Sequence, residues 1–153
     1  MKPIRNSAKA IIIVDGHILA TKNLDSEGVY YILPGGGQQR GETLTSALER
    51  ECREEISVDV IVGNLVCLRE YIGKNHEFAE SDAEVHRIEF MFACTMKDGA
   101  VVGDGDLPDD SQVGSEWLPL DQLETFRFYP TALRPILAEY GSGRHPVYMG
   151  DVN

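Results

Sequence analysis

The 153-residue sequence predicts an α/β domain of the α+β kind, a mixed β-sheet covered by helices. Strand-type apolar runs separated by turn residues fill much of the chain, and only two segments carry helical periodicity. No internal repeat divides it, so residues 1–153 are expected to form one domain.

Ser7 to Val14 and His17 to Thr21 flank Asp15-Gly16, a two-residue hairpin signal. Val29 to Leu33 is β-branched and aromatic, and Pro34 ends it while keeping Leu33 extended. Gly35-Gly36-Gly37 reads as a loop whose backbone can approach a ligand closely. A helix is predicted from Leu44 to Ile56 with Thr43 as N-cap. Val58 to Ile72 is strand-like with an interruption at Gly63-Asn64, and Gly73 to Glu84 reads as a polar connection. Val85 to Met96 is a long strand with Ile88, Phe90, Phe92 and Cys94 on one face and Arg87, Glu89 and Met91 on the other. Lys97 to Ser115 reads as loop, Glu116 to Leu118 as a short strand, and Pro130 to Tyr140 as a last helix with Pro130 near its N1 position. The tail from Gly141 is expected to be loosely held.

A formal charge of −11 argues against DNA, RNA or an anionic membrane as partner, since each needs a basic face. The same charge repels phosphate substrates, so a phosphate-handling site here requires cations. Cys52, Cys67 and Cys94 form no CxxC pair and read as buried reduced thiols, which fits a cytoplasmic location. The apolar run at Ala10 to Val14 is too short for a signal peptide, and no stretch is long enough to span a membrane.

The helix at 44–56 carries the chemistry. On a helical wheel Leu44, Ala47, Leu48, Cys52 and Ile56 mark the buried arc. Glu51 and Glu55 fall within that arc and Glu54 lies at its edge, while Glu49 and Arg53 point away. Carboxylates are not buried without a partner, and Arg50 alone cannot neutralise them all. Magnesium takes oxygen ligands from a few carboxylates and keeps room for water and substrate phosphates, so the cluster reads as a metal site. Other motifs fail. Gly36 and Gly41 have P-loop spacing, but Glu42 stands where lysine must be. Asp104 to Asp109 hints at a calcium loop without its glycine and closing glutamate. The four histidines lack zinc-ligand spacing, and no Gly-x-Ser-x-Gly elbow is present.

The full pattern is a glycine, five residues, a glutamate, seven residues, then Arg-Glu-x-x-Glu-Glu. It resembles the Nudix box, with Gly36, Glu42, Arg50, Glu51, Glu54 and Glu55 all matching. Leu33 to Gly37 before the box and Glu116 to Leu120 after it also look like that family. The resemblance implies the Nudix fold, an α/β/α sandwich around a mixed sheet, and hydrolysis of a nucleoside diphosphate linked to another moiety. It further implies that Glu51, Glu54 and Glu55 hold Mg2+, or Mn2+ in its place, with the Gly36 carbonyl as a further ligand. Arg50 would orient Glu51, and Glu42 would support the loop from behind. Glu54 or Glu55 is the nearest candidate base, with Glu77, Glu80, Asp82 and Glu84 open because some members use a glutamate from a distant loop. Ser57 departs from the glycine usual just past the box helix, and Cys52 from a larger aliphatic residue.

The substrate is less sharply marked. Tyr30, Tyr31, Phe78, Phe126, Phe128 and Tyr129 are candidates to stack a base, and Arg87, Glu89 and His86 to line the cleft. A nucleotide-type small molecule is the expected partner, with a homodimer as the expected assembly. The competing expectation is a module that keeps the fold for nucleotide binding or regulation and has lost the chemistry. Loss of box glutamates would mark it, and none is lost here.

Overall fold

The computed structural model of the chain describes residues 2–153. The Asp-Gly hairpin joins β1 (Arg5–Val14) to β2 (His17–Asp25), with Asp15 and Gly16 both at positive φ as a tight hairpin turn requires. Only Ile13 and Val14 of β1 pair with β2, and beyond them the strands part. β1 continues antiparallel to β4 (Gly35–Gly37) and parallel to β6 (His86–Met96). β2 continues between β3 (Gly28–Ile32) and β7 (Gln112–Pro119). β5 (Val60–Ile72) lies antiparallel to β6, and β9 (Tyr148–Asp151) runs parallel along β5. β8 (Phe128–Tyr129) closes the other edge beside β3. The described residues thus form a mixed sheet in the order β8-β3-β2-β1-β6-β5-β9, with β4 branching from β1 and β7 from β2.

Alternation along β1 sends side chains to two different cores. Ala8, Ala10 and Ile12 face α1 (Leu44–Ile56), where Leu48, Cys52 and Ile56 are fully buried among them. Burial of a leucine or isoleucine of this kind contributes about 1.5–3 kcal/mol. Ile11 faces the opposite way, into a core with Tyr31, Met91, Phe128 and the Leu133, Ile136 and Leu137 side chains of α3 (Leu133–Ala138). Helices on both faces of a mixed sheet make the α/β/α sandwich. No helix among the described residues is long and apolar enough to cross a membrane.

Several segments differ from expectation; β7 begins at Gln112, inside the expected loop, because residues 112–115 pair with β2. Gly35 to Gly37 is not a free loop but the short strand β4, because its backbone pairs with Ser7 to Lys9. Gly73 to Glu84 folds into a 3₁₀ turn at Gly73–Asn75 and the one-turn helix α2 (Ala79–Asp82). The last helix begins at Leu133 rather than Pro130, since residues 130–132 form a turn in which the Leu133 N–H donates to the Pro130 carbonyl. The tail is fastened rather than loose from residue 148 onward: β9 pairs with β5, and Asp151 accepts from the Ile72 N–H, Asn75 and His76.

Candidate active site

The acidic site is built by α1 and the glycine strand it packs on. Thr43 caps the helix, its Oγ1 accepting the Ser46 N–H at 3.0 Å. The chain leaves α1 through Ser57 in the left-handed region, φ 57°. Between these ends, the helical spacing carries Glu51, Glu54 and Glu55 towards β4. Gly36 packs so tightly on Glu51 that a Cβ there would lie 2.6 Å from the carboxylate. Any side chain at Gly36 would displace Glu51, so glycine at this position lets the carboxylate pack on the strand.

One guanidinium organises most of the charge. Arg50 Nε and Nη2 donate to the two oxygens of Glu42 at 2.6 and 3.0 Å, and Nη2 also donates to the Gly37 carbonyl. Its Nη1 donates to Glu51 Oε1 at 2.9 Å and to Glu54 Oε2 at 3.1 Å. Glu42 in turn accepts from the Gln39 N–H, closing the turn before α1, and its pairing with Arg50 holds its carboxyl at about 2. Glu55 stands apart. It is only 3% exposed, Oε2 accepts the Gly35 N–H at 2.9 Å, and burial pushes its carboxyl up to about 7 against the opposing pull of Lys9 and that hydrogen bond.

Among the described residues, no three carboxylate, imidazole or thiol groups converge closely enough to grip an ion as they stand. The reason is visible in the pairing: Arg50 draws Glu51 and Glu54, while Gly35 draws Glu55. The donor chemistry nevertheless suits a hard divalent cation. Glu51, Glu54 and Glu55 each give one oxygen to the protein, and their other oxygens, Glu51 Oε2, Glu54 Oε1 and Glu55 Oε1, accept no hydrogen bond among the described residues. The Gly36 backbone lies against the first of them.

A cleft of about 280 Å³ opens beside this site, between the sheet and α2. Tyr30, Phe78 and Tyr129 form an aromatic wall, with edge-to-face contacts of 6.3 Å between Tyr30 and Tyr129 and 5.5 Å between Phe78 and Tyr129. The floor is polar: Arg69 Nε donates to Glu89 Oε2 at 2.7 Å, both residues being 6% exposed. Burial opposes ionisation of Glu89, yet Arg69 and Lys9 hold its carboxyl below the usual range. Arg69 Nη1 also donates to the Val152 carbonyl and to Asn153 Oδ1, so the tail forms part of the floor. Lys9 lines the cleft and donates to the Gly35 carbonyl at 2.9 Å, which ties the cleft to the glycine strand.

The structure brings Gly36, Glu42, Arg50, Glu51, Glu54 and Glu55 into one site, and Arg87 and Glu89 into the adjoining cleft. His86 is a correction. Strand alternation turns it to the other face of β6, where Nε2 lies 3.4 Å from Glu70 Oε1. Of the distant acids, Asp82 lines the cleft and accepts the Tyr71 hydroxyl, whereas Glu84 pairs with Lys2 at the surface. Of the aromatic candidates, Tyr31 and Phe128 are buried in the core and Phe126 packs against it. Lys9, Arg69 and Asn153 were missed by sequence reasoning. A lone lysine amid Ala8, Ala10 and Ile11 was the signal for the first, while the other two meet across more than 80 residues and leave no local trace.

The NUDIX domain family matches residues 4–140. A nucleoside triphosphatase, NudI, from Salmonella agona is 28% identical over 128 residues, spanning 80% of this chain and 91% of that one. Among solved structures, a NUDIX hydrolase from Nitrosomonas europaea superposes with TM-score 0.73 at 16% identity, covering 94% of this chain and 92% of that chain. An ADP-ribose pyrophosphatase from Streptococcus suis gives TM-score 0.63 at 20% identity, covering 99% and 100%.

Proposed function

The chain belongs to the NUDIX family of pyrophosphate-bond hydrolases, and from that premise we propose that it uses Mg2+ to hydrolyse a pyrophosphate bond in a nucleoside diphosphate derivative. The observation that carries this reading is the trio of helix carboxylates, each with one oxygen not bonded to the described residues, Glu51 lying against the Gly36 backbone. Glu51, Glu54, Glu55 and the Gly36 carbonyl are the residues that would hold the ion, with Mn2+ as a substitute. When bound, such an ion polarises phosphoryl oxygens, offsets their repulsion from the carboxylates and lowers the pKa of an attacking water.

The chain's own residues do the rest. Arg50 orients Glu51 and Glu54, and Glu42 fixes Arg50 and the turn before the helix. Glu54 or Glu55 is the carboxylate placed to take the proton from the attacking water, both lying within one helical turn of Glu51. The aromatic wall offers faces for a base, and Lys9 and Arg87 offer charge to the phosphates between cleft and helix. The homologous triphosphatase supports a nucleoside triphosphate as substrate, and the structurally similar ADP-ribose pyrophosphatase supports a nucleotide sugar or ADP-ribose-like one.

A panel of nucleoside triphosphates, nucleotide sugars and ADP-ribose with Mg2+, read by release of phosphate or nucleoside monophosphate, tests the reading. At least one member should be hydrolysed, and Glu54→Gln should lower kcat by about 10²-fold or more. If both Glu54→Gln and Glu55→Gln stay within a few-fold of wild type, the assignment of the trio fails. Silence across the whole panel would favour a binding module instead.

A further inference from the structure

The segment from Gly103 to Gln112 carries an observation that the box residues do not explain. It returns, about fifty residues after α1, to the C-terminal end of that helix and supplies donors to it in series. Gly103 N–H donates to the Ile56 carbonyl at 2.8 Å, Leu107 N–H to the Glu54 carbonyl at 2.9 Å, and Gln112 Nε2 to the Glu55 carbonyl at 2.9 Å. Gly105 N–H donates to Ser57 Oγ at 3.0 Å. The last carbonyls of a helix have no partner within it, so these bonds fix an end that would otherwise fray. We propose that residues 103–112 form a clamp that positions Glu54 and Glu55 for catalysis, with Gly105, Ser57 and Gln112 as its positioning residues.

Two features show that the contact is built rather than incidental. Gly105 sits at φ 69°, and a Cβ there would lie 2.0 Å from the Glu54 carbonyl oxygen, so only glycine allows this approach. Gln112 holds its amide with Oε1 buried and unpartnered among the described residues. Turning the amide over would set that oxygen against the Glu55 carbonyl, so the donor to Glu55 fixes the orientation. The clamp also reaches the cleft: Ser111 Oγ, one residue away, lies 3.2 Å from the Tyr30 hydroxyl and donates to Asn23. Substrate wall and carboxylate helix are therefore joined by adjacent residues of one segment. The departure from glycine at Ser57 acquires a reason as well, since its hydroxyl is one of the clamp's acceptors.

The inference rests on the proposed hydrolase, and the experiment separates the two. Gly105→Ala and Gln112→Ala are compared with Val101→Ala, an exposed position of the same connection, on the nucleotide the wild type hydrolyses. For the two clamp variants kcat should fall about tenfold or more with KM within about twofold, while Val101→Ala keeps the wild-type values. Mn2+ alone, titrated without substrate, should bind about tenfold more weakly to the clamp variants. Amide exchange at Glu54 to Ile56 should accelerate about tenfold or more while Ala47 and Leu48 keep their protection. Gln112→Ala removes no core side chain, so it remains decisive if Gly105→Ala does not fold. Unchanged kcat and exchange in Gln112→Ala would overturn the clamp, and so would a uniform loss of protection with kcat and KM shifting together. If the wild type hydrolyses nothing, the hydrolase reading fails, and Mn2+ binding with amide exchange still decides the clamp.

Discussion

The molecule holds two arginine–carboxylate constellations, one on α1 and one on the cleft floor, and they solve opposite problems. On α1, Arg50 serves Glu42, Glu51 and Glu54, with Glu55 close behind, so negative charge outruns positive. In the cleft, the buried Arg69 faces Glu89 one to one. The first suits the cation and the phosphates of the proposed reaction. The second is balanced, which suits the uncharged part of a ligand set against aromatic faces. Charge surplus and charge balance thus divide the proposed substrate between chemistry and recognition.

Breaking the balanced pair should give the largest stability effect. Glu89→Gln leaves the buried Arg69 without its counter-charge and should cost about 3–5 kcal/mol in urea denaturation. The double variant Arg69→Met, Glu89→Leu removes both charges and should recover most of that loss. A single variant as stable as the wild type would show that the cleft is wetter than its burial implies.

The surplus site should respond with the opposite sign. Glu55 has a folded-state carboxyl near 7 against an ordinary value of 4.5. The fold therefore binds the proton more tightly than the unfolded chain. That stability is fully present below about 4.5 and lost as pH rises through about 7. Glu55→Gln should remove this slope and, with metal chelated, stabilise the protein at pH 8 by about 3 kcal/mol while hydrolysis collapses. Denaturation curves at pH 5 and pH 8 in chelator check the sign, and a variant with the wild-type slope would place the titration elsewhere.

The smallest effect sharpens the boundary between the helix and its clamp. Ser57→Gly relieves a non-glycine residue at positive φ, worth about 1 kcal/mol, but loses the bond from Gly105, worth about the same. Net stability should stay within about 0.5 kcal/mol, measured as a shift in urea midpoint. A clear gain would show that the Oγ contact contributes little.

How much of this was legible in sequence depended on the range of the interactions. Glu51, Glu54 and Glu55 were readable because i, i+3 and i+4 spacing is local, and the wheel set two of them on the buried arc. A mixed sheet covered by helices followed from the strand and helix patterning, and the resemblance to the Nudix box implied the α/β/α sandwich. β4 was not readable, because three glycines carry no side-chain pattern and the strand exists only through pairing with β1. β9 was hidden for a similar reason: its place beside β5 depends on Asp151 and Asn153 meeting residues more than 70 positions away. His86 was misplaced although alternation alone assigned it to the face opposite Arg87 and Glu89. The clamp was invisible because all but one of its donors, the Gln112 amide, are backbone N–H groups in a stretch that reads as acidic loop.

The cysteines give the two cores separate reporters. Cys52 and Cys94 lie in the layer beneath α1, and Cys67 lies beneath α3 against Met91. Burial pushes the Cys67 thiol up to about 11, and drives those of Cys52 and Cys94 higher still. Each is therefore chemically silent until its layer opens. Timed alkylation, resolved by mass spectrometry, would then clock the breathing of the helix that carries the glutamates independently of the layer on the far side of the sheet.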